Sequence, residues 1–265
     1  MSVDESSSLG RNWFSPFPLI RICFGFRISD FGFPARPALA LCLSVLSAFA
    51  ADNRLTPEEK RAGWLLLFDG QTLNGWMTSE GKPSRKPVED GCINPHGCGH
   101  YMMVHTQQWS DFVLALDFKI TKGCNSGIFV RTASLTPQPG KDVGYNGIEV
   151  QILDSTTADY YDTGAIYDLS KPTKNAMKPA GEWNHAEVTC SGSLISVVLN
   201  GEKVNEVDLD RFTEPNKRPD GTPHKFATAY KDHPHTGYLG LQDHGADCWF
   251  KNVKLRALAK MEKRG

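Results

Sequence analysis

Glu149 and Gln151 stand two residues apart in Gly147-Ile148-Glu149-Val150-Gln151-Ile152-Leu153-Asp154. Alternation of apolar and polar residues predicts a half-buried strand. Ile148, Val150 and Ile152 then face one side. Glu149 and Gln151 face the other, about 7 Å apart by strand geometry. A second segment, Asn125-Ser126-Gly127-Ile128-Phe129-Val130-Arg131, reads the same way, with Ile128 and Val130 inward and Arg131 outward. Near the C-terminus, Leu239 and Leu241 face inward, so Gln242 faces out, as does His244 if the strand continues. Glu149, Gln151, Arg131, Gln242 and His244 then line one groove, provided the strands share a sheet face. A carboxylate, amides, a guanidinium and an imidazole on an open sheet suit a polyhydroxylated ligand, because they form hydrogen bonds of fixed direction. Asn125 adds a further amide. Asp154, at the strand end, either braces the next loop or joins the site. Tyr167 is either an aromatic lid or loop packing. Arg131 and Glu149 also admit a plainer reading, a cross-strand ion pair.

Other chemistries lack their residues. No glycine-rich phosphate loop, His-Glu-x-x-His or Gly-x-Ser-x-Gly elbow occurs in its proper context. Sandwich glycosidases commonly place two carboxylates on one strand. Here an amide, Gln151, replaces the second acid, which weakens ordinary double-displacement hydrolysis. Cys92, His96, Cys98 and His100 have zinc-ligand chemistry but fit no structural zinc spacing. Cys92 and Cys98 otherwise read as a local disulfide or as free thiols. The formal net charge of −1 points to neither nucleic acid nor an anionic membrane.

The elements that must position these residues are short strands. Thr56-Pro57-Glu58-Glu59 predicts a capped helix start. Trp64–Gly70, His100–Val104, Phe112–Ile120, Trp183–Cys190, Leu194–Leu199, Tyr238–Gln242 and Trp249–Leu258 read as strands. Asn200-Gly201 predicts a tight hairpin into Glu202–Val207. The fold class is all-β, a jelly-roll sandwich of two antiparallel sheets. Residues 51–265 make this single domain. Residues 1–50 read as an N-terminal extension and secretory signal peptide. Arg36-Pro37 precedes an apolar stretch of about a dozen residues and Ser47-Ala48-Phe49-Ala50, which places cleavage after Ala50. The expected location is therefore periplasmic or extracellular, with no stable membrane span after cleavage.

The order of motifs resembles the domain of unknown function 1080 family, also described as 3-keto-disaccharide hydrolases. It runs Leu67-Phe68-Asp69-Gly70, Leu73-Asn74-Gly75-Trp76, Asn125-Ser126-Gly127-Ile128-Phe129-Val130-Arg131, Glu149-Val150-Gln151-Ile152-Leu153-Asp154, Gly164-Ala165-Ile166-Tyr167, Glu182-Trp183-Asn184, Leu199-Asn200-Gly201 and Gly240-Leu241-Gln242-Asp243-His244-Gly245. Cys124 and His185 depart from the pattern beside two of these motifs. The resemblance implies a concanavalin A-like jelly roll, secretion, and action on an oligosaccharide or glycoside bearing a 3-keto group. A C3 ketone acidifies the C2 proton, so a base removes it and an acid assists departure at C1. Elimination followed by hydration then cleaves the sugar. Glu149 and His244 are the catalytic pair, with base and acid roles open. Asn125, Arg131, Gln151, Asp154, Tyr167 and Gln242 bind substrate. No cofactor is certain, and a divalent metal on Glu149 and His244 could serve the same end. A non-catalytic sugar-binding module and a conventional glycosidase of the same fold are the alternatives.

Overall fold

The computed structural model describes residues 51–259. The expected signal peptide and extension lie outside them. The described chain opens with Asp52 and Asn53 docked on the last strand. Asn53 and Asn252 exchange backbone-to-side-chain hydrogen bonds of 2.6 and 2.8 Å, and Lys251 pairs with Asp52 at 2.6 Å. Helix α1 (Pro57–Arg61) follows, with Thr56 and Glu59 forming the reciprocal capping box that the sequence predicts.

Eleven strands follow: β1 (Leu65–Leu66), β2 (Trp76–Thr78), β3 (Met102–Trp109), β4 (Phe112–Ile120), β5 (Asn125–Thr132), β6 (Ile148–Leu153), β7 (Asn184–Ser191), β8 (Leu194–Leu199), β9 (Glu202–Asp208), β10 (Gly237–Gln242) and β11 (Cys248–Ala257). They form two antiparallel sheets. One has the order β1-β11-β4-β7-β8-β9, and the other β2-β3-β10-β5-β6. The core lies between them. Leu114, Leu116, Phe118 and Ile120 of β4 meet Ile128, Val130, Ile148, Val150 and Ile152 from the opposite sheet. Each large apolar side chain buried there contributes roughly 1.5–3 kcal/mol.

The fold is the two-sheet sandwich expected from the alternation. The β8–β9 hairpin turns at Asn200 and Gly201 with φ of 52° and 83°, the left-handed pair that a tight hairpin requires. Two expected strands change extent. β1 is only two residues long, because Leu67 bonds onward to Val253 and the chain then enters a turn. β3 begins at Met102 and continues to Trp109, because β10 pairs with it along most of that length. The thiols of Cys92, Cys98, Cys124, Cys190 and Cys248 are all free, so Cys92 and Cys98 form no disulfide. Among the described residues no helix is long and apolar enough to cross a membrane.

Candidate active site

The site is built on the outer face of the sheet containing β5, β6 and β10. Gly127 pairs with Gln151 and Phe129 with Glu149 across β5 and β6. Leu241 pairs with Ile128, so the next position sets Gln242 beside Gly127 on the other flank. Gln242, Gly127 and Gln151 thus form one row across three strands. Glu149 stands in the adjacent row, and its carboxylate leans back over Gly127. A Cβ at Gly127 would collide with Glu149 Oε1. The glycine therefore provides the floor on which the carboxylate lies.

The amides around it are buried and half-satisfied. Gln151 donates from Nε2 to Asn125 Oδ1 at 3.2 Å, and Gln242 donates from Nε2 to the Tyr101 hydroxyl at 2.9 Å. Both side-chain carbonyl oxygens lack a hydrogen-bond partner. Gln151 is 2% exposed and Gln242 4%. Buried acceptors without protein partners are costly in a folded protein unless a water or a ligand supplies a donor.

Loops close the cleft over Glu149. Tyr101, Asp142, Tyr145, Lys225 and Phe226 line it. Asp142 caps the short turn Val143–Asn146, accepting from the Gly144 N–H at 2.9 Å. Tyr167 donates its backbone N–H to the Glu149 carbonyl at 2.9 Å, and its ring stacks edge-on against Tyr161. Burial pushes the Glu149 carboxyl up to about 8. The Lys225 charge pulls against that rise, and Asp142 adds to it. Burial and the Glu149 charge also raise the Tyr101 hydroxyl. A carboxyl titrating near neutrality in a cleft has the properties of a general acid or base.

The structure thus brings together Glu149, Gln151, Gln242, Asn125 and Tyr167, and engages Arg131 and Asp154 elsewhere. Arg131 is corrected most sharply. Between Phe129 and Thr132 the chain of β5 advances three residues while β10 advances two, a β-bulge at which Arg131 takes φ of 53°. The extra residue reverses the expected direction. Arg131 is fully buried, donating to Gly192 O at 2.8 Å and to Asp111 Oδ1 at 3.1 Å. It locks strand ends together, and its ion-pair partner is Asp111, not Glu149. Asp154 accepts from the Gly123 N–H at 2.7 Å and lines a separate cleft with Ser155, Asn175 and Met177. It braces a turn. His244 lies past the end of β10, because the strand stops at Gln242, and its exposed side chain makes no hydrogen bond.

The cysteine–histidine stretch also resolves differently. His96 bonds to Asp243 at 3.1 Å, His100 pairs with Glu80 at 3.0 Å, and Cys98 donates to the His100 carbonyl. Among the described residues no group of three or more His, Cys, Asp or Glu side chains is placed to hold a metal ion. Sequence reasoning missed Tyr101, Asp142, Tyr145 and Lys225. Each comes from a loop, where no periodicity marks its direction.

The fold and this face together define a two-sheet jelly-roll sandwich whose polar sheet surface holds one desolvated carboxyl. The chain belongs to the family of 3-keto-alpha-glucoside-1,2-lyase-like domains, whose model matches residues 63–256. It is a glycoside hydrolase-like, carbohydrate-active enzyme. A 3-keto-disaccharide hydrolase of Bacteroides thetaiotaomicron is 29% identical over 229 residues, 74% of this chain and 79% of that protein. Among solved structures, one from Parabacteroides distasonis, provisionally named a glycosyl hydrolase, is 31% identical with a TM-score of 0.62, covering 74% of this chain and 99% of its own. A second from that organism, provisionally named likewise, is 29% identical with a TM-score of 0.67, covering 79% and 100%.

Proposed function

We propose that this protein is a secreted enzyme that cleaves 3-keto-glycosides by elimination across C1 and C2, followed by hydration. The observation that carries the reading is Glu149, whose burial raises its carboxyl to about 8 beside the two unpartnered amide oxygens of Gln151 and Gln242. In the ionised form Glu149 removes the C2 proton, and the electron pair moves onto the C3 carbonyl oxygen. The charge returns as the C1–oxygen bond breaks, leaving an enone and a protonated leaving group. Water then adds at C1 and a proton returns to C2. A base titrating near the working pH is matched to this task. The amide oxygens accept hydrogen bonds from the sugar hydroxyls, with Asn125 holding Gln151 in place. His244, on the exposed turn after β10, is proposed as the proton donor to the leaving group. The family description of a lyase-like domain fits the elimination step.

A second reading rests on Asp142, which shares the cleft with Glu149. In a conventional glycosidase, Glu149 would be the protonated acid and Asp142 the second carboxylate. Incubation with a 3-keto-disaccharide beside its unoxidised parent separates the readings. Cleavage of the keto sugar alone supports elimination. Cleavage of both sugars favours the conventional route. Binding of either without cleavage leaves a sugar-binding module and rejects the enzymatic mechanism.

A further inference from the structure

Lys225 sits on an exposed loop, yet its ammonium is held among ring faces. Its Nζ lies 4.2 Å from the Tyr167 ring centroid, 5.0 Å from Tyr145 and 5.2 Å from Phe226. Rings at these distances fix an ammonium by attraction to their π faces. Among the described residues it makes no salt bridge, whereas Lys251 and Lys254 on the other sheet are paired with carboxylates. It lines the Glu149 cleft, so its charge is aimed into the site.

The main chain at Lys225 is tied down independently. Its N–H donates to Asp168 Oδ2 at 2.7 Å. Asp168 is 3% exposed and takes φ of 56°. Arg218 bonds its other carboxylate oxygen and donates from Nε to its carbonyl at 3.1 Å. The Arg218 guanidinium lies on the Tyr160 ring, 3.8 Å from its centroid, and the Tyr161 hydroxyl meets Asp168 at 3.1 Å. A buried ion pair of this kind contributes geometry more dependably than stability. Here it fixes the residue that carries the ammonium.

We propose that Lys225 is a further catalytic residue, which holds the C3 oxygen as negative charge collects there, and that the Asp168–Arg218 pair positions it. The inference rests on the elimination reading. When Glu149 takes the C2 proton, the C2–H electron pair forms the C2–C3 double bond and the carbonyl pair settles on O3. A fixed ammonium meets that charge without reorganising, and removal of one such donor typically lowers kcat about 10²- to 10³-fold. The charge leaves O3 when the C1–oxygen bond breaks, so Lys225 does not itself need to transfer a proton.

The test uses the full chain and its Lys225→Met, Lys225→Arg and Asp168→Asn variants, each checked for fold by circular dichroism. On a 3-keto-disaccharide, Lys225→Met is expected to lower kcat about 100-fold or more with KM within about threefold. Lys225→Arg restores part of the loss, and Asp168→Asn lowers kcat about tenfold. Carbon NMR titration of Glu149 without substrate gives a readout that misfolding would not mimic. Lys225→Met is expected to raise its midpoint and Lys225→Arg to leave it in place. Unchanged kcat in Lys225→Met, or a loss confined to KM, overturns this inference alone when the wild type is active. A wild type inert on the keto sugar overturns the elimination reading together with it.

Discussion

The two outer sheet faces carry similar residues and put them to opposite use. On the six-stranded sheet, Asp117 accepts from Asn252 Nδ2 at 2.6 Å and bonds His185 Nδ1 at 2.6 Å. Lys119 and Lys251 lie over the Trp183 ring, 5.1 and 4.3 Å from its centroid. Hydrogen bonding to His185 and Asn252 outweighs burial and holds Asp117 below the usual carboxylate range. The Asp117 bond raises His185. Both groups are driven toward their charged forms. Glu149, on the five-stranded sheet, has no such partner and is driven toward its neutral form. Charges that satisfy each other hold a fold together. A carboxyl denied its partner is available to a substrate, at a cost in stability.

The largest expected effect is at Glu149. Glu149→Gln should lower turnover of a 3-keto-disaccharide about 10²- to 10⁴-fold in steady-state assays. It should also stabilise the protein. In the unfolded chain the carboxyl titrates near the ordinary glutamate value of about 4.3, and in the folded protein at about 8. Below both values it has no effect. Between them the unfolded chain has released a proton that the folded protein retains, so stability falls as pH rises and levels off above about 8. Urea unfolding at pH 9 should show Glu149→Gln ahead of wild type by on the order of a few kcal/mol, from about 1.4 kcal/mol for each pKa unit less solvent screening. At pH 4 the two should coincide.

Arg131 sharpens the contrast from the opposite side, because it was expected on the active face and is instead buried against Asp111. Arg131→Met should cost about 3 kcal/mol in denaturant unfolding, since it leaves Asp111 without its cation and the Ser110 and Gly192 carbonyls without their guanidinium donor. The kcat of the folded fraction should stay within about twofold of wild type. Disruption of the paired face should have the smallest consequence. Because His185 is partly exposed, His185→Ala should cost no more than about 1 kcal/mol and leave kcat unchanged. Its contribution is complete below the ordinary histidine value and fades as pH rises through its raised folded value. Asp117 contributes above the ordinary aspartate value and loses that contribution as pH falls through its depressed one. The difference between wild type and His185→Ala should therefore shrink from pH 5.5 toward pH 9, by thermal unfolding.

The sandwich was legible in the sequence because alternation on β4 and β6 and the Asn200-Gly201 turn are local signals. Glu149, Gln151 and Gln242 were legible for the same reason, since period two fixes which side each faces. Arg131 was not, because one extra residue in β5 reverses direction without any mark in its own side chain. His244 depended on a strand that ends at Gln242. Asp142 reaches the cleft from the loop just before β6 and Lys225 from a loop far along the chain, and only the three-dimensional closure of those loops places them beside Glu149.

In the proposed reaction Glu149 acts as a base on carbon. Cleavage of a 3-keto-disaccharide in deuterium oxide, read by NMR of the released keto sugar at early times, tests it most directly. One deuterium is expected at C2 in the wild-type product, above the exchange in an enzyme-free control, and no such product from Glu149→Gln. Released sugar that keeps its original C2 hydrogen would contradict it.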